Sequence, residues 1–521
     1  MESADRRQPK DDVTWPWGGS IHPRSFFFSL DDRYEAPGLE QVLVPIGRLQ
    51  ISPDYQCYTV ASQESFLILI GHCIDLHAPA SQEADAARSL LQVALNDGID
   101  TMLAASDRIV GRYTVICYSR GTWTVFNDAC ATRSTYFAED AGIIASHSTL
   151  IGRALGRMAR TQLFRHFRYG LPGNVSPFMG VRVLPANFSL DLLSKKLTRF
   201  WPRTHRVERT VEELISPLED ALTRTADATA ARWIPALSLT AGIDSRTTLA
   251  AFSHIPSTVP FTYYRGSGDA TDMDIATMLC RSAGLQHWPL AVVSRSEAPS
   301  IYAAADSMMD YKHFDEASAI YFKAFAGGHY IHVRSNLAEI GRAFWRRHPV
   351  MPTRFGADNW IDVATHQERQ GEPLRREAMR YMQDEMKAFI DLAGYDLSDP
   401  FNPSLLGYDA WDLIYWEHRM STWHAQVLMG SDLAFDTQVI FNSRTVLDLL
   451  MSAPLKDRAK ASLFHQFIER RRPDFASIPI NPRSSHRGIE DLVLGAYRRL
   501  RRRVPILRSL DRSTNLMARL R

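Results

Sequence analysis

The sequence predicts an α+β unit followed by an α/β unit whose last part is mostly helical. From about Val42 to Phe200, short β-rich runs are separated by turns, with one helix-like stretch among them. After Val211, amphipathic helices alternate with short apolar strands, and beyond Thr353 the pattern is mostly helical. At 521 residues the chain is also too long for one ordinary hydrophobic core. We therefore expect two large domains.

The composition is that of a globular protein without a strong charge bias. Hydrophobic residues make up 45% of the chain and charged residues 23%, and the formal net charge is +2. The five cysteines are few, odd in number and widely spaced, which argues against a disulfide framework or a zinc ribbon and favours a reducing cytoplasm. The most apolar run, residues 66–70, is too short to span a bilayer, and the N-terminus lacks the apolar core of a signal peptide. We expect a cytoplasmic protein that does not bind membranes.

In the first unit, β-rich runs bounded by Gly, Asp or Ser predict strands. These predicted strands cover residues 66–70, 113–117, 123–126 and 142–145. Residues 83–95 differ, because their apolar side chains recur at roughly helical spacing and so predict a helix. The pattern changes near residues 200–205, and we assign residues 1–205 to this α+β unit.

The second unit opens with a charged amphipathic helix predicted over residues 211–230. An apolar-biased run, residues 234–239, then predicts a buried strand, and later strands at residues 260–264 and 330–333 alternate with helices. Such alternation is typical of an α/β core. We assign residues 206–497 to this unit.

The chain ends in a basic segment, residues 498–521, which we predict to be a helical tail. Several arginines fall within two helical turns, beside Leu500 and Val504 on an apolar side, until Pro505 interrupts the pattern. A solvated amphipathic surface explains this pattern, and contact with an acidic peptide, a nucleic acid or a membrane surface is the alternative. We expect neither a membrane nor a nucleic acid to be the partner of this protein.

The most informative segment is the turn that follows the strand at residues 234–239. It contains Thr240, Gly242, Asp244 and Ser245, and a helix-like apolar spacing follows at once. Small residues let the backbone approach a ligand closely, and the first N–H groups of the helix point at that ligand. The two hydroxyls can donate hydrogen bonds to it, and the carboxylate can hold Mg²⁺. This combination predicts an anion site, with phosphate as the anion.

The segment resembles the Ser-Gly-Gly-x-Asp-Ser loop of the PP-loop ATP pyrophosphatases, and its surroundings resemble asparagine synthetases. Thr240 replaces the family's serine and keeps the hydroxyl, whereas Ala241 replaces a glycine and adds a methyl. The resemblance implies that Thr240, Gly242, Asp244 and Ser245 grip the pyrophosphate of ATP while a substrate carboxylate attacks the α-phosphate, which gives an acyl-adenylate. It therefore implies ATP and Mg²⁺ as cofactors.

The next elements follow in the order of that family. After the second strand, an acid-led helix opens at Asp272 and Asp274 and ends in a Gly-x-x-His turn, residues 284–287. Favourable interaction with the helix dipole is the alternative explanation for these two acids. The resemblance also implies that Leu239 and Thr262 line the adenine.

A third segment lies where the family has Ser-Gly-Glu-Gly-x-Asp-Glu, a loop that completes the ATP and magnesium site. Ser335 falls on the family's first acid and Ala338 on its aspartate, so that only Glu339 keeps a carboxylate. The resemblance makes Glu339, with Asp244, a candidate Mg²⁺ ligand, or a catalytic group near the acyl-adenylate. An ion pair between Glu339 and Arg342 at a helix start is the alternative.

Late in the synthetase domain of this family, a lysine stabilises the transition state of amide formation. The comparable stretch here, residues 478–483, contains no lysine. Arg483 is therefore the candidate catalytic cation, although a guanidinium does not readily donate a proton.

The first unit resembles the glutaminase domain that precedes the synthetase domain in this family, an Ntn-hydrolase-like sandwich. Residues 111–115 and 126–128, followed by Tyr136, match its hairpin order. Glutamine hydrolysis in that domain requires a cysteine at the mature N-terminus. Here the second residue is Glu2 and the first cysteine is Cys57. We expect a domain that retains the fold without glutaminase activity, so that nitrogen comes from free ammonia or a substrate amine.

The predicted function is that of an ATP-dependent, AMP-forming ligase that joins a small-molecule or peptide carboxylate to an amine. Family members without the cysteine include β-lactam synthetases and lasso peptide cyclases, so an intramolecular cyclase with a precursor peptide as partner is one alternative. A non-catalytic scaffold that binds nucleotide or peptide is another, favoured by the altered positions Ala241, Ala338 and Asn481. Sulfur transfer to RNA is a third, but it requires reactive cysteines, which the sequence does not indicate.

Overall fold

The computed structural model describes residues 22–62, 64–160, 170–264, 269–310, 315–345, 373–395 and 405–482. Within them, the strands form two six-stranded sheets and one five-stranded sheet. The strands are β1 Phe26–Ser29, β2 Glu40–Val42, β3 Arg48–Ile51, β4 Cys57–Ser62, β5 Ser65–Asp75, β6 Ile109–Ser119, β7 Thr122–Asn127, β8 Tyr136–Ala138, β9 Ile143–Ala145, β10 Val181–Val183, β11 Phe188–Asp191, β12 Leu197–Arg199, β13 Ile234–Ser238, β14 Val259–Tyr264, β15 Trp288–Ala291, β16 Tyr330–Arg334 and β17 Thr437–Val439.

The helices surround these sheets and dominate the last part of the chain. They are α1 Glu83–Asp97, α2 Ile99–Ala105, α3 Ser148–Ala154, α4 Val211–Ala230, α5 Ile243–Phe252, α6 Ala270–Ala283, α7 Pro299–Met308, α8 Asp315–Phe325, α9 Ala338–Gly341, α10 Pro373–Ala393, α11 Ala410–Ile414, α12 Ala425–Met429, α13 Arg444–Ser452, α14 Leu455–Ala459, α15 Ser462–Arg471 and α16 Pro473–Ala476. A 3₁₀ turn lies at Ser106–Arg108, and a π-helical segment at Tyr415–His424 joins α11 to α12. Among the described helices, none combines the length and apolarity needed to cross a bilayer.

The two six-stranded sheets are antiparallel and pack face to face. Their strand orders are β10-β8-β9-β1-β3-β2 and β12-β11-β7-β6-β5-β4. Because successive side chains of a strand point to opposite faces, Phe26 and Phe28 of β1 join the core between the sheets, while Phe27 joins the core beneath α3. In β5, Leu67 and Leu69 pack against α1 and α2 on the other outer side. The first unit therefore has four layers, in the order helix, sheet, sheet, helix.

The strands and the helix predicted for the first unit are confirmed, with longer bounds for the central strands. β5 and β6 each contain 11 residues and pair antiparallel along their whole length. Gly71 sits in this pair with φ 107°, and a Cβ there would lie 2.3 Å from the carbonyl oxygen of Arg112. Glycine at this position therefore lets the two strands approach closely next to Arg112.

The second unit is built on a parallel sheet with the order β15-β14-β13-β16-β17. The helix predicted over residues 211–230 is confirmed in both bounds as α4. Thr210 caps it in a capping box, in which its hydroxyl accepts from the N–H of Glu213 and its own N–H donates to the Glu213 carboxylate at 2.8 Å. The chain runs outward from β13 to β15 and then returns to β16 and β17 on the other side, so the strand order reverses between β13 and β16. In open α/β sheets, a crevice forms at this point outside the carboxyl ends of the strands.

A buried charge network joins the two units. Arg112 and Arg133, from β6 and the β7–β8 connection, both bind the carboxylate of Asp432, and Arg133 also lies 3.2 Å from Asp436. The side chain of Asp432 has no solvent exposure. The carbonyl oxygen of Asp436 accepts from the N–H of His332 in β16 at 2.8 Å. The first unit is thus anchored to the start of β17, one strand away from the crevice.

Candidate functional site

A cavity of about 280 Å³ lies in the crevice between the ends of β13 and β16. Six of the residues predicted from sequence line it, namely Leu239, Thr240, Asp244, Ser245, Thr262 and Glu339. A third wall comes from the end of β14, at Tyr263. The cavity therefore lies where the reversal of strand order places ligand sites in α/β sheets.

The turn from β13 to α5 is closed by its own hydroxyl groups. The Oγ of Ser245 accepts from the N–H of Thr240 at 3.2 Å and lies 3.0 Å from its Oγ1. The N–H of Gly242, which is the N-cap of α5, donates to Thr240 Oγ1 at 3.2 Å. Serine and threonine at these positions therefore hold a compact turn in front of the N-terminus of α5, where backbone dipoles favour an anion.

Asp244, a predicted Mg²⁺ ligand, forms an ion pair with Arg342. The Nη2 atom of Arg342 lies 2.5 Å from Asp244 Oδ2, and only 10% of the arginine side chain is exposed. The alternative expectation, an ion pair between Arg342 and Glu339, is wrong, since the guanidinium binds Asp244. The structure thus brings together the two segments that the sequence analysis placed at the site and shows which cation balances the first carboxylate.

Glu339 lies in the first turn of α9, on the other side of the cavity. The chain enters this short helix through Leu337, which is fully buried and adopts the left-handed conformation with φ 74°. Such a backbone conformation is costly for a residue other than glycine and is often found at functional sites. Among the described residues, no donor reaches the buried Oε2 atom of Glu339. Burial, and then the charge of Glu339, raises the pKa of Tyr415 in the neighbouring π-helical segment.

Thr262 and Leu239 meet at the ends of β14 and β13. The Thr262 hydroxyl donates to the carbonyl oxygen of Leu239 at 2.8 Å. His287, from the Gly-x-x-His turn, places Nε2 3.0 Å from the same hydroxyl, and burial lowers its pKa. The pair predicted to line the adenine is therefore preorganised by hydrogen bonds at one end of the cavity.

Asp272 and Arg334 are among the cavity residues that were absent from the predicted site. The Asp272 carboxylate accepts the N–H of Ala241 at 2.7 Å, and the Arg334 guanidinium donates to Asn336 Oδ1 at 3.0 Å. Asp272 was noticed only as part of an acid-led helix. Arg334 could have been found from the sequence as a charged residue directly after a buried strand, at the end where α/β sheets bind ligands.

The candidate catalytic residue Arg483 lies outside the described residues. The stretch before it does reach the turn, because the N–H of Asn481 donates to the carbonyl oxygen of Ala241 at 3.1 Å. Arg246, buried in α5, holds this stretch by donating to the carbonyl oxygens of Phe475 at 3.1 Å and Pro479 at 2.6 Å. The stretch that was compared with the family's lysine-containing segment therefore packs directly on the turn Thr240–Ser245.

The acidic groups around the cavity fit a magnesium ion that arrives with a nucleotide. Asp244, Asp269, Asp272 and Glu339 all line the cavity. Within the described ranges, no three acidic, histidine or cysteine side chains are gathered to hold an ion alone. Mg²⁺ is usually held by one or two carboxylates, substrate phosphates and water. The residues present therefore fit a metal that obtains its remaining ligands from phosphate.

The five cysteine thiols, all within the described residues, are not activated as nucleophiles. Four are buried, and Cys57 is half-buried. Burial raises the pKa of every one of them, to about 12 for Cys117 and Cys280. Because the thiolate is the reactive form, none of these cysteines has the environment of a catalytic nucleophile.

Comparison with known proteins gives no family assignment. No protein-family model matches the chain, and no curated protein matches it. One similar solved structure is the allosteric regulatory enzyme of purine biosynthesis, at 10% identity and a TM-score of 0.22, covering 62% of this chain and 71% of that chain. Another is glutamine phosphoribosylpyrophosphate amidotransferase from B. subtilis in complex with ADP and GMP, at 11% identity and a TM-score of 0.22, covering 62% and 72%. Likenesses with such low scores carry no functional argument.

Proposed function

We propose that the crevice binds ATP with Mg²⁺ and that the protein is an ATP-dependent, AMP-forming carbon–nitrogen ligase. The observation that carries the proposal is the position of the turn Thr240–Ser245, which opens with the N-terminus of α5 into the cavity where the strand order reverses. Backbone donors and a helix N-terminus at such a point suit a nucleotide phosphate. Leu239 and Thr262 would face the adenosine, and Asp244 and Glu339 would hold Mg²⁺.

In the proposed reaction, a carboxylate oxygen of the substrate attacks the α-phosphorus of ATP. The bond between this phosphorus and the oxygen bridging to the β-phosphate breaks, and pyrophosphate leaves. An amine nitrogen then attacks the acyl carbon and loses a proton to solvent, while AMP departs with the electrons of the broken acyl–oxygen bond. Bound Mg²⁺ would neutralise phosphate charge. The chain contributes orientation and charge complementarity, through the turn on one side and Arg334 on the other.

The first unit supports a ligase without its own glutaminase. Its four layers agree with the Ntn-hydrolase-like sandwich expected from the sequence, and burial raises the pKa of each of its described thiols. Nitrogen would then come from ammonia or from a substrate amine. An amine within the same molecule, as in a precursor peptide or a metabolite that is cyclised, is one form of this proposal.

A second candidate function is a scaffold that binds nucleotide without consuming it. The ion pair between Asp244 and Arg342 favours this candidate, because it occupies a carboxylate that catalysis would give to a metal. Ala338 stands where the family has an aspartate, so the site has one acid fewer that could bind a metal in place of Asp244. The two candidates differ in one observable, the cleavage of bound ATP.

Product analysis with ATP labelled at the α-phosphate tests the ligase. The purified chain is incubated with Mg²⁺, hydroxylamine as a general amine, and a panel of amino-acid and peptide carboxylates. We expect labelled AMP, pyrophosphate and an acyl hydroxamate with at least one carboxylate, and their loss in Asp244→Asn but not in Asp220→Asn on the exposed face of α4. ADP as the product, or ATP that stays intact with every carboxylate, contradicts the ligase. Intact ATP that is nevertheless bound supports the scaffold.

A further inference from the structure

The carboxylate of Asp272 occupies a hydrogen-bond donor of the turn that a phosphate would use. Its Oδ1 atom accepts from the N–H of Ala241 at 2.7 Å, across 31 residues of sequence. Asp272 belongs to the first turn of α6 and lines the same cavity as Asp244 and Ser245. Backbone N–H groups in strand–turn–helix junctions are typical phosphate donors. In this structure, an internal anion therefore holds the donor.

Displacing this carboxylate is unfavourable for a bare anion. A hydrogen bond to an ionised acceptor is roughly twice as strong as a neutral one. A free phosphate that took the Ala241 N–H would break this bond and would leave Asp272 among Asp244, Asp269 and Glu339, which line the same cavity. Like charges that share a site raise each other's free energy. The lining contains one guanidinium, that of Arg334, against these four carboxylates, so the binding of a phosphate that brings no positive charge is disfavoured.

A divalent cation reverses this balance. Mg²⁺ carried by a phosphate ligand reduces the negative charge of that ligand, and carboxylate oxygens are ligands that it prefers. The displaced Asp272 carboxylate then has a cation nearby in place of the Ala241 N–H. The interaction of Asp272 with the cation therefore replaces the hydrogen bond from the Ala241 N–H that it loses.

We propose that Asp272 is a specificity-determining residue that restricts the site to metal complexes of pyrophosphate-containing ligands. The inference rests on the proposed function, since it takes the turn Thr240–Ser245 as the phosphate site. Without a cation, Asp272 remains on the Ala241 N–H and the turn is closed to the anion. With a cation, the carboxylate leaves and the donor becomes available to the ligand.

The chain offers a matched pair of variants for the test. Asp272→Asn and Asp269→Asn each remove one negative charge from the same cavity without changing side-chain size. Asp272 is the acceptor of the Ala241 N–H, whereas Asp269 is the N-cap residue of α6. Asp272→Asn weakens the bond to the Ala241 N–H, because a neutral amide oxygen replaces the carboxylate, whereas Asp272→Ser shortens the side chain and withdraws the acceptor. Circular dichroism with thermal unfolding verifies that each variant is folded.

The probe is inorganic pyrophosphate, titrated calorimetrically into each full-length protein in EDTA and in Mg²⁺. For the wild type, we expect affinity in Mg²⁺ to exceed affinity in EDTA by at least about tenfold, or about 1.4 kcal/mol. Asp272→Asn should raise the affinity in EDTA by about tenfold, and Asp269→Asn by less than about threefold, because Asp272 and not Asp269 is the acceptor of the Ala241 N–H.

Equal effects of the two substitutions would overturn the inference, as would an unchanged affinity of Asp272→Asn in EDTA or the absence of pyrophosphate binding in all proteins. These outcomes are separate from a failure of the proposed function. A wild type that shows the Mg²⁺ dependence and its loss in Asp272→Asn, but forms no AMP with any carboxylate, would support the inference and contradict the ligase.

Discussion

Arg342 forms an ion pair with Asp244, which lines the cavity, with 2.5 Å between Nη2 and Oδ2. The two residues are 98 positions apart, one at the end of α9 and the other in the first turn of α5. The pair links the two segments that close the cavity, and it neutralises a carboxylate that we propose as a metal ligand. In the proposed function, nucleotide binding exchanges one cation for another at Asp244.

Removal of the arginine should make Mg²⁺ binding easier. In Arg342→Gln, the metal no longer competes with a guanidinium for Asp244, and we expect the Mg²⁺ concentration at half-saturation of ATP binding to fall by about three- to tenfold. Titration of Mg²⁺ at fixed ATP measures this change. Arg224→Gln, which breaks an exposed pair with Asp220 on α4, is the control. A higher Mg²⁺ requirement in Arg342→Gln would show that the arginine binds the nucleotide itself.

The buried network at Asp432, which joins the two units, should contribute strongly to the free energy of unfolding. Asp432→Ala leaves Arg112 and Arg133 buried without this carboxylate, which typically costs about 3–5 kcal/mol. Chemical denaturation of the two proteins measures the difference in the free energy of unfolding. Asp220→Ala, at an exposed ion pair, should change it by less than about 0.5 kcal/mol. A loss at Asp432 as small as at Asp220 would mean that the network does not stabilise the protein.

The contribution of Asp310 to the free energy of unfolding should decrease as the pH rises. Its carboxylate accepts from Tyr136 at 2.6 Å and from Ser148, both in the first unit. Burial raises the pKa of Asp310 from 3.8 to about 6, although these two hydrogen bonds lower it in part. The folded state therefore binds more protons than the unfolded state between these values, so the contribution of this group falls as the pH rises through that window.

Comparison with Asp310→Asn isolates this effect from that of buried histidines such as His332, whose pKa is lowered by burial and whose contribution to stability therefore changes with pH in the opposite direction. Relative to the variant, the wild type should lose on the order of 2–3 kcal/mol of unfolding free energy between about pH 4 and pH 6. Denaturant titrations at several pH values measure the difference. A difference that stays constant, or that grows in favour of the wild type, would show that the folded-state pKa is not raised.

Local sequence patterns predicted the parts of the fold that depend on neighbouring residues. The amphipathic period of residues 211–230 reproduced α4 in both bounds, and the small residues after β13 marked the turn of the site. β17 was not predicted, because three residues are too few to show a period. Its place in the sheet depends on pairing with β16 and on the buried charges before it.

The partners of the site residues could not be predicted in the same way. Asp272 and Ala241 are 31 residues apart, and Arg112 and Asp432 are 320 apart. Such contacts follow from how the strands are ordered and how the two units pack, which one sequence does not reveal. The alternative interpretation of Glu339 paired it with the nearby Arg342 through helical spacing, but in the folded protein Arg342 binds Asp244.

Calorimetric titration of the wild type and Asp244→Asn with ATP in Mg²⁺ tests the central claim most directly. Asp220→Asn serves as the matched control on the exposed face of α4. We expect the wild type and the control to bind with equal affinity, and Asp244→Asn to bind at least about tenfold more weakly, since it loses a metal ligand and a charge at the turn. Absence of binding to the wild type, or equal binding to all three proteins, would contradict an ATP site at the turn Thr240–Ser245.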